Sequence, residues 1–230
     1  FVLSAFLLTL RLLGFGITPA AMGDYFLGRF LRIYPLFLLA TLFAFTTQQI
    51  GLVNFDALLS ALRLSSGFGH LWSIPVEVKF YLLLPLLVFL LLWAAGRLGV
   101  RLTLLSGLAL SIGAVVLGEL VWVEGNGIAL MPYLSLFLFG TLAAALSHWS
   151  VDIFVGLLQR RIVTVTIGVL LLVLMFSLTP IAQRLYIPAL GDYSIPQSPW
   201  LYGLLWGLFV LSQISSNGFD ALSSRWLCAI

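Results

Sequence analysis

The chain is predicted to be all-α: a polytopic bundle of transmembrane helices with six complete spans and two partial ones. Three observations predict this. Hydrophobic residues make up 62% of the 230 positions and charged residues only 8%, whereas soluble domains carry about a quarter charged residues. Apolar runs recur at lengths near the roughly 20 residues a helix needs to cross a bilayer. Arginines alternate from one connecting segment to the next. These features exclude a soluble globular domain. The net charge of +3 is dispersed without a basic cluster, so no nucleic-acid partner is expected. A single cysteine, Cys228, excludes an internal disulfide. No His/Cys cluster has metal-ligand spacing, and no metal is expected.

Residues 1–13 read as the tail of a span. Residues 14–32, with Gly14, Gly16, Pro19, Gly23 and Gly28, read as a loop ending in Arg29 and Arg32. Complete spans are expected at about 33–50, 72–95, 102–122, 128–147, 161–180 and 199–217, and residues 226–230 open another. Between the first two, Phe55, Leu58, Leu59 and Leu62 form a helical apolar stripe, which predicts a short interfacial helix. Gly125-Asn126-Gly127 reads as a tight turn. The aromatics and prolines of 181–198 read as interfacial anchors, with glycan contact as the alternative. The chain begins without Met inside one apolar run and stops inside another. It is read as one truncated domain, 1–230, expected to be inactive as a fragment.

Arg11, Arg29, Arg32, Arg97, Arg101, Arg160, Arg161 and Arg225 fall in or beside one set of segments, and only Arg63 and Arg184 in the other. The positive-inside rule makes the first set cytoplasmic and the second exterior.

The most informative stretch is 70–85. It opens a long apolar helix yet carries Glu77 and Lys79, and ionisable groups in hydrocarbon are costly and usually functional. Glu77 and Tyr81, four apart, share a face, while Lys79 points nearly the other way. Pro85 has no N–H to give the carbonyl of Tyr81, so a kink is expected beside the polar face. Ser73 is expected to cap the helix, with Pro75 in its first turn. Lys79 is expected to snorkel or to pair with Glu119. Glu77 has three readings: it orients a histidine, acts as a base itself, or holds a helix pair together. Arg29 and Arg32, three apart, share a face suited to a phosphorylated ligand. Positive-inside bias alone also accounts for them. His148 follows a helix end and reads as structural, and His70, at the outer interface, is near this stretch by sequence only.

Leu71-Trp72-Ser73-Ile74-Pro75-Val76-Glu77-Val78-Lys79-Phe80-Tyr81 resembles the signature helix of the acyltransferase 3 family of bacterial membrane acyltransferases. Arg29-Phe30-Leu31-Arg32-Ile33-Tyr34-Pro35 resembles that family's R-x-x-R-I-x-P segment, and Phe1-Val2-Leu3-Ser4-Ala5-Phe6 the end of its second helix, with Ala5 where Gly is more usual. The motifs cover about the first 90 residues, and the pattern of spans covers the whole chain.

The resemblance implies an O-acyltransferase of the bacterial inner membrane. It would move a short acyl group, acetyl above all, from cytoplasmic acyl-CoA to a hydroxyl of a cell-surface or exported glycan or glycolipid. It implies Glu77 and Tyr81 as catalytic residues, Arg29, Arg32, Trp72 and Ser73 as substrate-binding residues, and a basic histidine upstream of Phe1. Acyl-CoA would be co-substrate, and the lipid bilayer the surroundings. A transporter or flippase with Glu77 and Lys79 in its path is the alternative. The absence of repeated halves speaks against it. Acceptor, acyl chain, oligomeric state and the role of Lys79 are not legible.

Overall fold

The computed structural model describes residues 1–48, 52, 54–121, 128–149, 161–177 and 199–214. Eight α-helices run through them: α1 (Val2–Phe15), α2 (Pro19–Thr46), α3 (Phe55–Leu62), α4 (Ser73–Leu98), α5 (Val100–Val121), α6 (Leu134–His148), α7 (Arg161–Ser177) and α8 (Pro199–Ile214). Two 3-10 turns, Gly69–Trp72 and Met131–Tyr133, lead into α4 and α6. No strand occurs among the described residues, and the bundle is all-α as predicted.

Helix α6 is the axis. It packs against α1, α5 and α8, and ten of its fifteen residues are buried. Lipid is as apolar as a leucine side chain, so small residues that let backbones approach are what draw membrane helices together. Gly140 meets α1 so closely that a Cβ there would strike the carbonyl oxygen of Val2. On α8, Gly203 and Gly207 are four apart and face Leu136 and Phe139 of the same axis. Beside the glycine seam, the hydroxyls of Thr9 and Thr141 lie 3.4 Å apart, and Phe80 of α4 stacks on Phe137 at 4.0 Å.

The outward faces are the reverse of a soluble protein's. Leu36, Leu39, Leu82, Leu105 and Leu120 are all exposed. Apolar side chains facing out and small or polar ones facing in are the pattern a hydrocarbon solvent imposes. Four stretches are long and apolar enough to cross a membrane: Pro19–Thr46, Ser73–Leu98, Val100–Leu120 and Met131–His148. Within the described residues, the expected spans at 161–180 and 199–217 are shorter apolar helices.

Helices α1, α4 and α6 all start at one aromatic collar. Phe1, Trp72 and Tyr133 pack there with ring centroids 6.1, 5.0 and 5.8 Å apart. The three helices therefore descend in parallel, and α5 returns so that Gly118 reaches Met131 and Pro132.

One sequence expectation fails here. Residues 14–32 are mostly helix, not loop. The helix breaks over residues 16–18, where Gly16 has a φ of 73° that suits glycine, and restarts at Pro19. Thr18 caps the new helix by accepting from the Ala21 amide at 3.2 Å, with Pro19 in its first turn. Gly23 and Gly28 each cost about 1 kcal/mol relative to alanine, too little to break a helix begun by such a cap. The short helix expected between the first two spans appears as α3, capped by Asn54, whose Oδ1 accepts from the Ala57 amide at 2.8 Å. The expected turn at 125–127, the anchors of 181–198 and Cys228 lie outside the described residues.

Because α1 has no room to yield at Gly140, Gly140→Ala should destabilise the bundle by about 1–3 kcal/mol. Gly113→Ala, where a Cβ meets nothing within 4 Å, should not. Chemical unfolding in detergent compares the two, and equal stabilities would contradict the seam.

Candidate functional site

The site lies on α4 below the collar. Ser73, Glu77 and Tyr81 follow one another at four-residue steps and so line one face of the helix. The sequence predicts Ser73 as the cap of α4, and it is not the cap. The 3-10 turn Gly69–Trp72 runs straight into the helix, so the cap position falls to Trp72, whose side chain makes no cap bond. Ser73 is instead the first rung of the polar face, beside the half-buried Trp72 of the collar. The side chain of His70 lies outside the described residues.

Glu77 and Tyr81 are joined directly. The Tyr81 hydroxyl donates to Glu77 Oε2 at 2.8 Å. Tyr81 is buried and Glu77 half-buried, so this carboxylate has a fixed donor where water is scarce. The Ser4 side chain of α1 lies beside the Tyr81 hydroxyl.

The backbone of Tyr81 carries the second feature. Helix α4 continues through Pro85 to Leu98. Pro85 has no N–H, so the Tyr81 carbonyl lacks its helical donor. The donor comes from another helix: the hydroxyl of Tyr25, on α2, reaches the Tyr81 carbonyl oxygen at 3.0 Å. Tyr25 is 3% exposed. One bond thus occupies the gap that proline opened and docks α2 against the polar face of α4.

That docking places the arginines. Arg29 stands four residues after Tyr25 and Arg32 seven, which at about 100° per residue puts all three on one face of α2. Arg29 is half-buried, and it lies within coulombic reach of the hydroxyls of both Tyr25 and Tyr81. Arg32 is exposed. Helix α2 begins at Pro19, so Arg29 lies ten residues into a helix rather than at its mouth.

Lys79 takes no part in this cluster. It is exposed and donates to the backbone carbonyl of Ile128 at 2.6 Å rather than to Glu119, one of the two outcomes the sequence leaves open. Glu119 sits near the end of α5, while Ile128 leads directly into the Met131–Tyr133 turn beside the collar. Lys79 thus helps to hold the start of α6 against α4. His148 is exposed at the end of α6, beside Trp149. No group of metal-binding side chains occurs among the described residues.

A family model described as an acyltransferase domain matches residues 1–230, the whole chain. The chain belongs to the acyltransferase 3 family. No curated protein and no solved structure matches it. The acyltransferase thus carries its carboxylate, phenol and guanidinium on two helices joined by one backbone carbonyl. Sequence reasoning missed Tyr25 and Ser4 as members of this group. The signal for Tyr25 is its spacing of four and seven residues from the two arginines.

Tyr81→Phe removes the donor to Glu77 and leaves the backbone bond to Tyr25 intact. A hydrogen bond to a charged group is worth about 1.5–3 kcal/mol, and a loss of that order is expected in chemical unfolding. Unchanged stability would mean that the Glu77–Tyr81 bond is not formed.

Proposed function

We propose that this acyltransferase moves a short acyl group, acetyl above all, from acyl-CoA on the cytoplasmic side to a hydroxyl of a cell-surface or exported glycan or glycolipid. The observation that carries the reading is the Tyr81–Glu77 hydrogen bond, on the helix to which Tyr25 docks the arginine-bearing face of α2, in a chain of this family.

Each residue has a role in the transfer. Arg29 and Arg32 hold the phosphates of the donor, since guanidinium forks match phosphate oxygens in a bidentate way. Trp72 and Ser73, at the collar end of α4, meet the acceptor. Glu77 steers or takes the proton of the acceptor hydroxyl, either directly or by orienting a histidine base, and Tyr81 keeps the carboxylate in place by donating to it. The acceptor oxygen attacks the thioester carbonyl carbon. The new ester C–O bond forms, the C–S bond breaks, and the thiolate leaves to be protonated. The lipid bilayer surrounds the bundle, and the arginine alternation in the sequence supports an inner-membrane orientation with the 96–101 segment inside.

Two features support a donor and an acceptor meeting here without a channel through the whole bundle. Tyr25, on the arginine-bearing face of α2, bonds the Tyr81 carbonyl, so the two helices meet at Tyr81. The collar side of Glu77 is only about 8 Å away, five residues up α4 at 1.5 Å each. A transporter reading gains nothing from the structure, because Lys79 is engaged with Ile128 on the other side of α4.

The test is acyl transfer by the full-length protein in membranes, at matched protein levels. Glu77→Gln keeps side-chain volume and removes the charge, and transfer should fall roughly 100-fold or more, the scale of general acid–base groups. Donor binding should persist in that variant and weaken in Arg32→Lys, which loses the fork. Wild-type transfer by Glu77→Gln would reduce Glu77 to a packing residue.

A further inference from the structure

We propose that Tyr25 is a positioning residue of the transfer reaction: through the carbonyl that Pro85 leaves without a helical donor, it sets the separation between the arginine face of α2 and the Glu77–Tyr81 pair of α4. This rests on the functional reading above and adds to it a residue that belongs to neither substrate site.

Four observations carry it. Tyr25 is the one buried residue in the first half of α2; the others, Phe37, Thr41 and Ala44, lie in the second half. In that second half α2 packs against α3, where Ala44 joins Leu52 and Ala61 in a separate apolar cluster. The stretch of α2 that bears the arginines is therefore anchored chiefly at Tyr25, with the partly buried Met22 and Ile33 flanking it. The partner of Tyr25 is a backbone atom of a site residue, the Tyr81 carbonyl at 3.0 Å. That atom cannot move without the α4 backbone, so the bond fixes helix to helix rather than side chain to side chain. Finally, Arg29 and Arg32 share the Tyr25 face of α2, so the rotation that the bond imposes is the rotation that turns them toward α4.

The physical consequence is separable from stability. Donor phosphates would be held by α2, and the acceptor proton would be handled by α4. Loosening the bond leaves both halves intact but lets the distance between them vary. Reacting atoms must approach within about 3–3.5 Å, and a 1 Å misplacement can cost roughly 100-fold in rate. A positioning role therefore predicts a fall in turnover at saturating donor and acceptor, with donor affinity preserved.

The experiment uses the full-length protein in membranes. Tyr25→Phe keeps the buried ring and removes only the O–H. Turnover at saturating acyl-CoA should fall roughly ten- to a hundredfold, while acyl-CoA binding stays at the wild-type value. Tyr25→4-aminophenylalanine restores a donor at the same place on the ring and should recover most of the turnover. Wild-type turnover in Tyr25→Phe would overturn the proposal. So would a loss that the amino variant fails to recover, which would assign the effect to packing of the ring. A loss seen in donor affinity rather than turnover would also overturn it, by making Tyr25 part of the donor clasp. Glu77→Gln is measured alongside. If Glu77→Gln is inactive and Tyr25→Phe is not, the positioning role fails and the functional reading stands. If Glu77→Gln is itself fully active, the functional reading fails.

Discussion

The carbonyl of Tyr81 has no donor within its own helix, because the residue four positions on is Pro85. In water such a carbonyl would be solvated at little cost. In the hydrocarbon region each unsatisfied backbone group costs several kcal/mol, so the chain must supply a partner from elsewhere. It supplies Tyr25. Much of the candidate site follows from this one constraint. The Tyr25 bond brings α2 to α4, the helical repeat then turns Arg29 and Arg32 to the same side, and the residue whose backbone accepts the bond is also the one whose hydroxyl holds Glu77.

The rest of the bundle packs around that arrangement. The glycines of α6 and α8 let α1, α6 and α8 approach until backbone meets side chain, and the aromatic collar fixes the common starting level of α1, α4 and α6. Phe80, on the side of α4 turned to α6, stacks on Phe137. The polar face is thereby left toward α1 and α2, where Ser4, Tyr25 and Arg29 stand. Lys79, on a third side, holds the segment before α6. Helix α4 thus sorts its charged residues by angle: the carboxylate goes inward to the site and the ammonium outward to a structural carbonyl.

Much of this was legible in the residues. Apolar length located the helices, because hydrocarbon solvent allows only fully hydrogen-bonded segments to cross it. The four-residue spacing predicted the Glu77–Tyr81 face, and Pro85 predicted the open carbonyl. The departures have a common cause: local turn signals yield to the tertiary setting of each residue. Gly23 and Gly28 suggested a loop, but the Thr18–Pro19 start outweighs them, and α2 begins fourteen residues before the expected span. Ser73 has the composition of a cap, but the preceding 3-10 turn already supplies helical geometry. Glu119 is an acidic residue that sequence offers to Lys79, yet the ammonium takes the backbone carbonyl of Ile128. The link between α2 and α4 was the least legible feature. A tyrosine whose partner is a backbone atom 56 residues away leaves no pattern in sequence beyond its register with the arginines.

The central claim, that the Tyr25 hydroxyl stands in for the N–H that Pro85 lacks, is tested most directly by a double-mutant cycle in unfolding free energy. In the Pro85 background, Tyr25→Phe strands a buried carbonyl and should cost about 1–3 kcal/mol. Pro85→Ala returns an amide donor to the same carbonyl, so in that background the cost of Tyr25→Phe should shrink to a few tenths of a kcal/mol, with a coupling of about 1–2 kcal/mol between the two positions. Equal costs of Tyr25→Phe in both backgrounds would contradict the account, since the two donors would then not be serving one oxygen.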